Sequence, residues 1–175
     1  MAADDQADFS NLILGTDHPV HEVDTSEAVS RACVALISQA SREVVIMTRD
    51  LDPKVFDDSE IILAMREFLL SSRRVRLRIL VKQPETVARR GHRLVELTQR
   101  LTSFAEIRVP AAEFSSHNTA YVVVDGQGIV YRGFADRFDA SISFNDRNLA
   151  REKLHEFDEM WQTSVEATSL RRISL

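Results

Sequence analysis

The sequence contains a single cysteine, Cys33, among its 175 residues. An internal disulfide is therefore excluded, and the neighbours Ala32, Val34, Ala35 and Leu36 in a predicted helix mark Cys33 as a buried structural thiol rather than a nucleophile. The sequence also lacks any uninterrupted apolar run approaching about 18 residues, the length needed for a membrane-crossing helix. Met1 to Phe9 is acidic where a secretory signal would be basic, so a cytoplasmic location is the default expectation. No glycine loop that could cradle phosphate, no G-x-S-x-G elbow and no dinucleotide fingerprint occurs. No cofactor is therefore expected. Internal repeats and low-complexity segments are absent as well.

What remains has the composition of an ordinary globular chain, 44% hydrophobic and 28% charged, and its length suits one domain with a sizeable core. The expected organisation is a disordered acidic start over residues 1–8, one α/β domain over 9–168 and a flexible tail over 169–175. The net charge of -5 conceals a division: the first sixty residues are strongly acidic, while arginines crowd the middle of the chain. Net charge thus argues against generic nucleic-acid binding, although a local basic face around Arg73, Arg74 and Arg76 would suffice for it. The plainer expectation is that these arginines pair with acidic segments or coat a solvated helix.

Helical and apolar segments alternate along the chain. Thr25 or Ser26 can cap a helix to about Ala40 with an inward stripe that includes Ala28, Ala32 and Leu36. Glu43 to Thr48 reads as a strand buried on both faces. Asp50-Leu51-Asp52-Pro53 breaks the chain before a second helix from Ser59 to about Ser71. Val75 to Val81 is a second strand, Pro84 opens a helix predicted to run to about Leu101 across Gly91, and Ala105 to Val109 is a third strand stopped by Pro110. This alternation predicts an α/β fold with a mixed, mainly parallel sheet and helices on both faces. Thr119 to Asp125 and Ile129 to Arg132 then flank Gly126-Gln127-Gly128 as a hairpin. Ala140 to Phe144 can add a strand. Asn145 or Asp146 caps a closing helix with Leu149, Leu154, Phe157, Met160 and Trp161 turned inward.

The segment from Ser116 to Gly126, SHNTAYVVVDG, carries the most information. Its histidine enters an apolar strand that ends in an acid-glycine turn, and it resembles the HxKxxxxD signature of the phospholipase D superfamily. The order of elements agrees over roughly residues 20 to 165, as do the phrases SRACVALISQASREVVIMTRDLDP, SSRRVRLRILVK and FDEMW. The resemblance implies a phospholipase D-like half-domain holding a single degenerate repeat, similar to bacterial domains of unknown function, some of them joined to acetyltransferase domains. It makes His117 the counterpart of the family's nucleophile. Thr119 occupies the position of the phosphate-holding lysine, and Asp125 stands one residue beyond the motif's acid, where Val124 sits. In place of the Gly-Ser-x-Asn phrase that follows the family's hairpin, this chain has Arg132-Gly133-Phe134-Ala135-Asp136.

A phosphodiester brings negative charge, and fixed cations that stabilise it are each worth about 3–4 kcal/mol when removed. One neutral hydroxyl at Thr119 is a poor substitute unless Arg132 turns into the pocket. The expected function is therefore a non-catalytic module acting by binding or assembly. It would form a homodimer through the hairpin side of the sheet, with a partner protein as a further candidate and no membrane. The alternatives are a metal-independent phosphodiesterase or nuclease active as a dimer, with His117 as nucleophile and Thr119, Asp125 and Arg132 about the phosphate, and a nucleic-acid-binding domain using Arg73, Arg74 and Arg76. Without catalysis, His117 is a strand-edge histidine and Asp125 tightens its own turn. His18 and His21, with Asp17, Glu22 and Asp24, match no metal-ligand spacing and read as a solvated loop. His92 and His155 read as helix-surface residues.

Overall fold

The computed structural model describes residues 7–171. In chain order these form β1 (His21–Val23), α1 (Ser26–Ile37), β2 (Glu43–Thr48), α2 (Pro53–Phe56), α3 (Ser59–Ser71), β3 (Arg76–Val81), α4 (Pro84–Arg90), α5 (Arg93–Arg100) and β4 (Ala105–Val109). A 3-10 turn (Ala112–Phe114), β5 (Ala120–Val124), β6 (Gly128–Arg132), β7 (Ala140–Ser143), α6 (Arg147–Gln162), β8 (Val165–Glu166) and α7 (Thr168–Arg171) follow. Residues 1–6 of the expected disordered start and 172–175 of the expected tail lie outside the described residues. Residues 169–171 belong to α7, where Leu170 is buried. No helix among the described residues is long and apolar enough to cross a membrane.

The helices start where side chains can accept from free N–H groups. Thr25 accepts from Ala28 N at the head of α1, Asp58 from Glu60 N at α3, and Asp146 from Leu149 N at α6. The helix expected to continue across Gly91 instead breaks there into α4 and α5. Gly91 takes φ +70, a left-handed conformation that ends α4, and His92 restarts the chain by capping α5 through Nδ1, which accepts from Leu94 N at 3.1 Å.

The sheet order is β1-β7-β6-β5-β2-β3-β4-β8. Only β2 with β3 and β3 with β4 are parallel; the other five pairings are antiparallel. The expectation of a mainly parallel sheet is thus corrected, and the reason lies after β4. The chain crosses back over the sheet end with one 3-10 turn in place of a helix, and β5 enters beside β2 in the reverse direction. Reversal puts the start of β5 at the same end as the C-termini of β2 and β3. That end is where open α/β sheets present ligand sites.

β2 is buried on both faces because its alternate side chains feed two cores. Val44 and Ile46 pack with α1, α3 and α5, while Val45 and Met47 pack with Tyr121, Val123, Ile129 and the α6 residues Phe157 and Met160. One face thus carries several helices and the other chiefly α6. Arg78, midway along β3, lies on the α6 face. It pairs with Glu43 at 3.2 Å and Asp158 at 2.8 Å, and its guanidinium sits 5.1 Å from the Phe157 ring and 5.4 Å from Trp161.

His92 is a correction to the surface reading: it is 5% exposed. Nε2 donates to Leu51 O at 2.9 Å while Nδ1 accepts from Leu94 N, so the neutral imidazole satisfies both neighbours. Burial holds its pKa below the ordinary value, with Asp57 opposing. The unfolded chain therefore takes up the proton first as pH falls from about 6.5. Stability is expected to decline from that pH downward more steeply in the native protein than in His92→Gln. Urea titrations of both between pH 5 and pH 8 measure this, and equal slopes would refute it.

Candidate functional site

His117 stands in the loop just before β5, at the end of the sheet reached by the C-termini of β2 and β3. The loop is set by His117 N donating to Phe114 O at 3.1 Å and by an edge-on contact of the Phe114 and His117 rings at 5.8 Å. Lys82, the residue after β3, ties the loop down from below. Its Nζ donates to Ser115 O at 2.9 Å and to His117 O. Burial, and next the positive charge of Arg49, hold the Lys82 pKa below its ordinary value.

The imidazole is part-exposed and pairs with α6, where Nδ1 is 3.3 Å from Glu156 Oε1. A carboxylate oxygen can only accept, so Nδ1 donates in this pair, and in a neutral imidazole the lone pair is then on Nε2. Glu156 is itself held by Lys153 at 3.0 Å. Burial works against the Lys153 charge, but the bond to Glu156 outweighs it and the pKa lies above the usual value. Lys153 lies 5.2 Å from the Tyr131 ring, and its carbonyl accepts from Tyr121 Oη at 3.3 Å. Burial comes first among the causes that push the Tyr121 pKa up, which keeps this phenol a hydrogen-bond donor rather than an acid.

The other candidates from the sequence do not gather here. Thr119 is part-buried one residue before β5, on the His117 side of the sheet end. Asp125 is at the opposite end of β5 and bonds neither His117 nor only its own turn. Its carboxylate accepts from the backbone N–H groups of Ser41, Arg42 and Glu43, each at 2.9 Å, and from Ser41 Oγ at 3.1 Å. Its φ of 53 and that of Gly126, 65, form the tight turn of the hairpin.

Arg132 pairs with Ala120 across the hairpin and points to the face opposite Tyr121 and Tyr131. It is 4% exposed and donates to the carbonyls of Arg137 and Ala135, with its guanidinium 5.2 Å from the Phe138 ring. Burial lowers its pKa from the ordinary value. Its Nε and Nη2 are thus engaged by backbone carbonyls rather than directed at His117, although the Arg49 charge is close enough to act on it.

Arg73, Arg74 and Arg76 are exposed, with no ion pair among the described residues, and lie at the start of β3. Six residues of strand, about 20 Å, separate them from Lys82, so they are a different surface from the His117 end. Other central arginines do pair: Arg90 with Asp50 and Arg93 with Asp57. His155 is exposed and pairs with Glu159 at 3.2 Å. His21 belongs to β1, a strand the sequence reading placed in a loop, and His18 Nε2 accepts from Ile13 N at 3.1 Å. No cluster of three or more His, Cys, Asp or Glu side chains able to hold a metal occurs among the described residues. Cys33 is fully buried, and burial pushes its thiol pKa up to about 12.

Glu156 and Lys82 are the neighbours of His117 that sequence reasoning missed. Lys153 and Glu156 sit three apart beside the Phe157–Met160–Trp161 stripe, so helical phase alone places them at the rim of the buried face.

The fold is phospholipase D-like. Nuc from Salmonella typhimurium, a phospholipase D family member, superposes with a TM-score of 0.61 at 15% identity, over 85% of this chain and 97% of its own. NucT from Helicobacter pylori gives 0.61 at 11% identity, over 85% of this chain and 98% of its own. TrmBL2, an archaeal chromatin protein with a novel mode of DNA binding, gives 0.62 at 13% identity, over 85% of this chain and 53% of its own. No curated protein matches the sequence. The family described as Domain of unknown function (DUF7931) matches residues 25–173, and with most of its length inside that match the chain belongs to this family.

Proposed function

We propose that this domain binds a phosphate ester at the His117 end of the sheet without cleaving it, as a non-catalytic phospholipase D-like module. The observation that carries the reading is that one imidazole stands alone at this end. Attack by His117 Nε2 on phosphorus expels an alkoxide, which must receive a proton from a second acid. His92 is buried against Leu51, His155 faces solvent on α6, and His18 and His21 lie near Phe144 and Phe9. With Thr119 in the lysine position and Arg132 bonded to the carbonyls of Ala135 and Arg137, this end offers donors to an anion but no second imidazole to protonate the leaving oxygen.

The second reading, a phosphodiesterase active as a homodimer, has one observation in its favour: the His117–Glu156 pair presents Nε2 as a nucleophile requires. A twofold mate placing its own His117 opposite would supply the acid. Hydrolysis of bis(p-nitrophenyl) phosphate in chelator, measured beside the size of the particle in solution, separates the two. The expected result is release no faster than in buffer, equal for the native chain and His117→Ala. Chelator-resistant release abolished by His117→Ala would overturn the binding reading. The nucleic-acid alternative at Arg73, Arg74 and Arg76 draws support from TrmBL2, but those arginines stand at the far end of β3.

A further inference from the structure

The lysine missing from position 119 has a spatial substitute on the neighbouring strand. β2 and β5 are antiparallel with Met47 opposite Tyr121, and β2 and β3 are parallel with Thr48 opposite Val81. One residue further, Arg49 emerges from β2 between position 119 on one side and Lys82 on the other. The ladder to β3 continues through this point, with Lys82 N donating to Thr48 O at 3.2 Å and Gln83 N to Arg49 O at 2.8 Å. Strand alternation from Met47, Leu80 and Tyr121, all in the α6-side core, directs positions 49, 82 and 119 to the face that carries Glu156.

Arg49 shares its counter-ion with a second arginine. Its Nη2 is 3.7 Å from Asp50 Oδ2, beyond hydrogen-bond distance, and Asp50 is engaged by Arg90 at 3.2 Å. Arg49 Nε is buried and has no hydrogen-bond partner among the described residues. A buried N–H without an acceptor is costly, and it is satisfied once a water, an ion or a ligand oxygen reaches it. Lys82, close enough to feel the Arg49 charge, has two backbone carbonyls and no carboxylate among the described residues.

The backbone around Arg49 is fixed by a strained turn. Leu51, fully buried, takes φ 49, and is kept there by Thr48 Oγ1 accepting from its N–H at 3.0 Å and by His92 donating to its carbonyl. Such a conformation in a branched apolar residue persists only when its surroundings impose it, and it is a common feature of ligand clamps.

We propose that Arg49 carries the phosphate-binding role that position 119 has lost, gripping a phosphate mono- or diester together with the remaining Lys82 N–H and the Thr119 hydroxyl. The inference rests on the His117 end being a phosphate-ester site and names the residue that confers it. The guanidinium fork suits two phosphate oxygens, and its unused Nε–H supplies a donor already desolvated and aimed.

The test measures binding at low salt of inorganic phosphate by calorimetry, a short oligodeoxythymidine by fluorescence anisotropy, and phosphatidylglycerol vesicles by flotation. The variants are Arg49→Gln and Arg49→Gln/Thr119→Lys, each checked by circular dichroism to be folded. The expected result is that the native chain binds at least one probe, that Arg49→Gln weakens it about tenfold or more, and that Thr119→Lys restores most of the loss. Binding unchanged by Arg49→Gln, or weakened but not rescued by Thr119→Lys, overturns this inference and leaves the phosphate site standing. Failure of the native chain to bind any of the three overturns the site itself. Which probe is bound most tightly tells a free phosphate, a nucleic-acid strand and a lipid surface apart.

Discussion

Replacing Asp125 with alanine is expected to lower the stability of the domain by about 3 kcal/mol, the upper end of the cost of removing an ionised acceptor from its donors. The two carboxylate oxygens take four hydrogen bonds, three from consecutive backbone N–H groups at Ser41, Arg42 and Glu43 and one from Ser41 Oγ. Those N–H groups lie where the chain passes from α1 into β2, and Asp125 itself is 7% exposed. The same residue donates its own N–H to Glu43 O and accepts from Arg42 Nη2 at its carbonyl, so it joins the β5–β6 hairpin to the head of the central strand. Asparagine keeps one acceptor oxygen but turns an NH2 toward donors, and is expected to recover only part of the loss. Urea unfolding of the three proteins measures this. A fall of less than about 1 kcal/mol for Asp125→Ala would show that the carboxylate is not the anchor.

An acid displaced by one residue from its place in a known motif looks in sequence like a damaged active-site group. In the fold it is a structural tie at the end of β5 remote from His117. Sequence could not separate these readings, since the partners of Asp125 lie more than eighty residues upstream. Features set by neighbours in sequence were legible: the Thr25, Ser59 and Asp146 regions open helices, the Asp125-Gly126 pair turns the hairpin, and the unbroken apolar run of β2 is buried on both faces. Pairing direction was not. Alternating strands and helices do give parallel β2, β3 and β4, but the return from β4 to β5 uses residues 110–119 without a covering helix, and only tertiary contacts such as Lys82 with the carbonyls of Ser115 and His117 fix its path. The same crossing creates the candidate site, because it brings a histidine to the C-terminal ends of parallel strands. Arg132 shows the converse. Its sequence position beside the hairpin suggested a phosphate contact, yet the two-residue period of β6 sends it to the face packed by α1.

Phe157→Ala is expected to be the most damaging substitution on the other face, removing about 3–5 kcal/mol of stability. Phe157 is fully buried, stacks on Trp161 with ring centroids 5.6 Å apart and lies under the Arg78 guanidinium. α6 is the principal cover of this side of the sheet, so the cavity left by the ring cannot be closed by a second helix. The loss reaches the site as well, since Glu156 is the adjacent residue and its grip on His117 depends on how closely α6 docks. Phe157→Leu fills most of the volume and is expected to lose about 1–2 kcal/mol while keeping the imidazole–carboxylate pair. Denaturant unfolding gives the two stabilities, and a loss of less than about 1 kcal/mol for Phe157→Ala would show that the ring does not anchor α6 to the sheet.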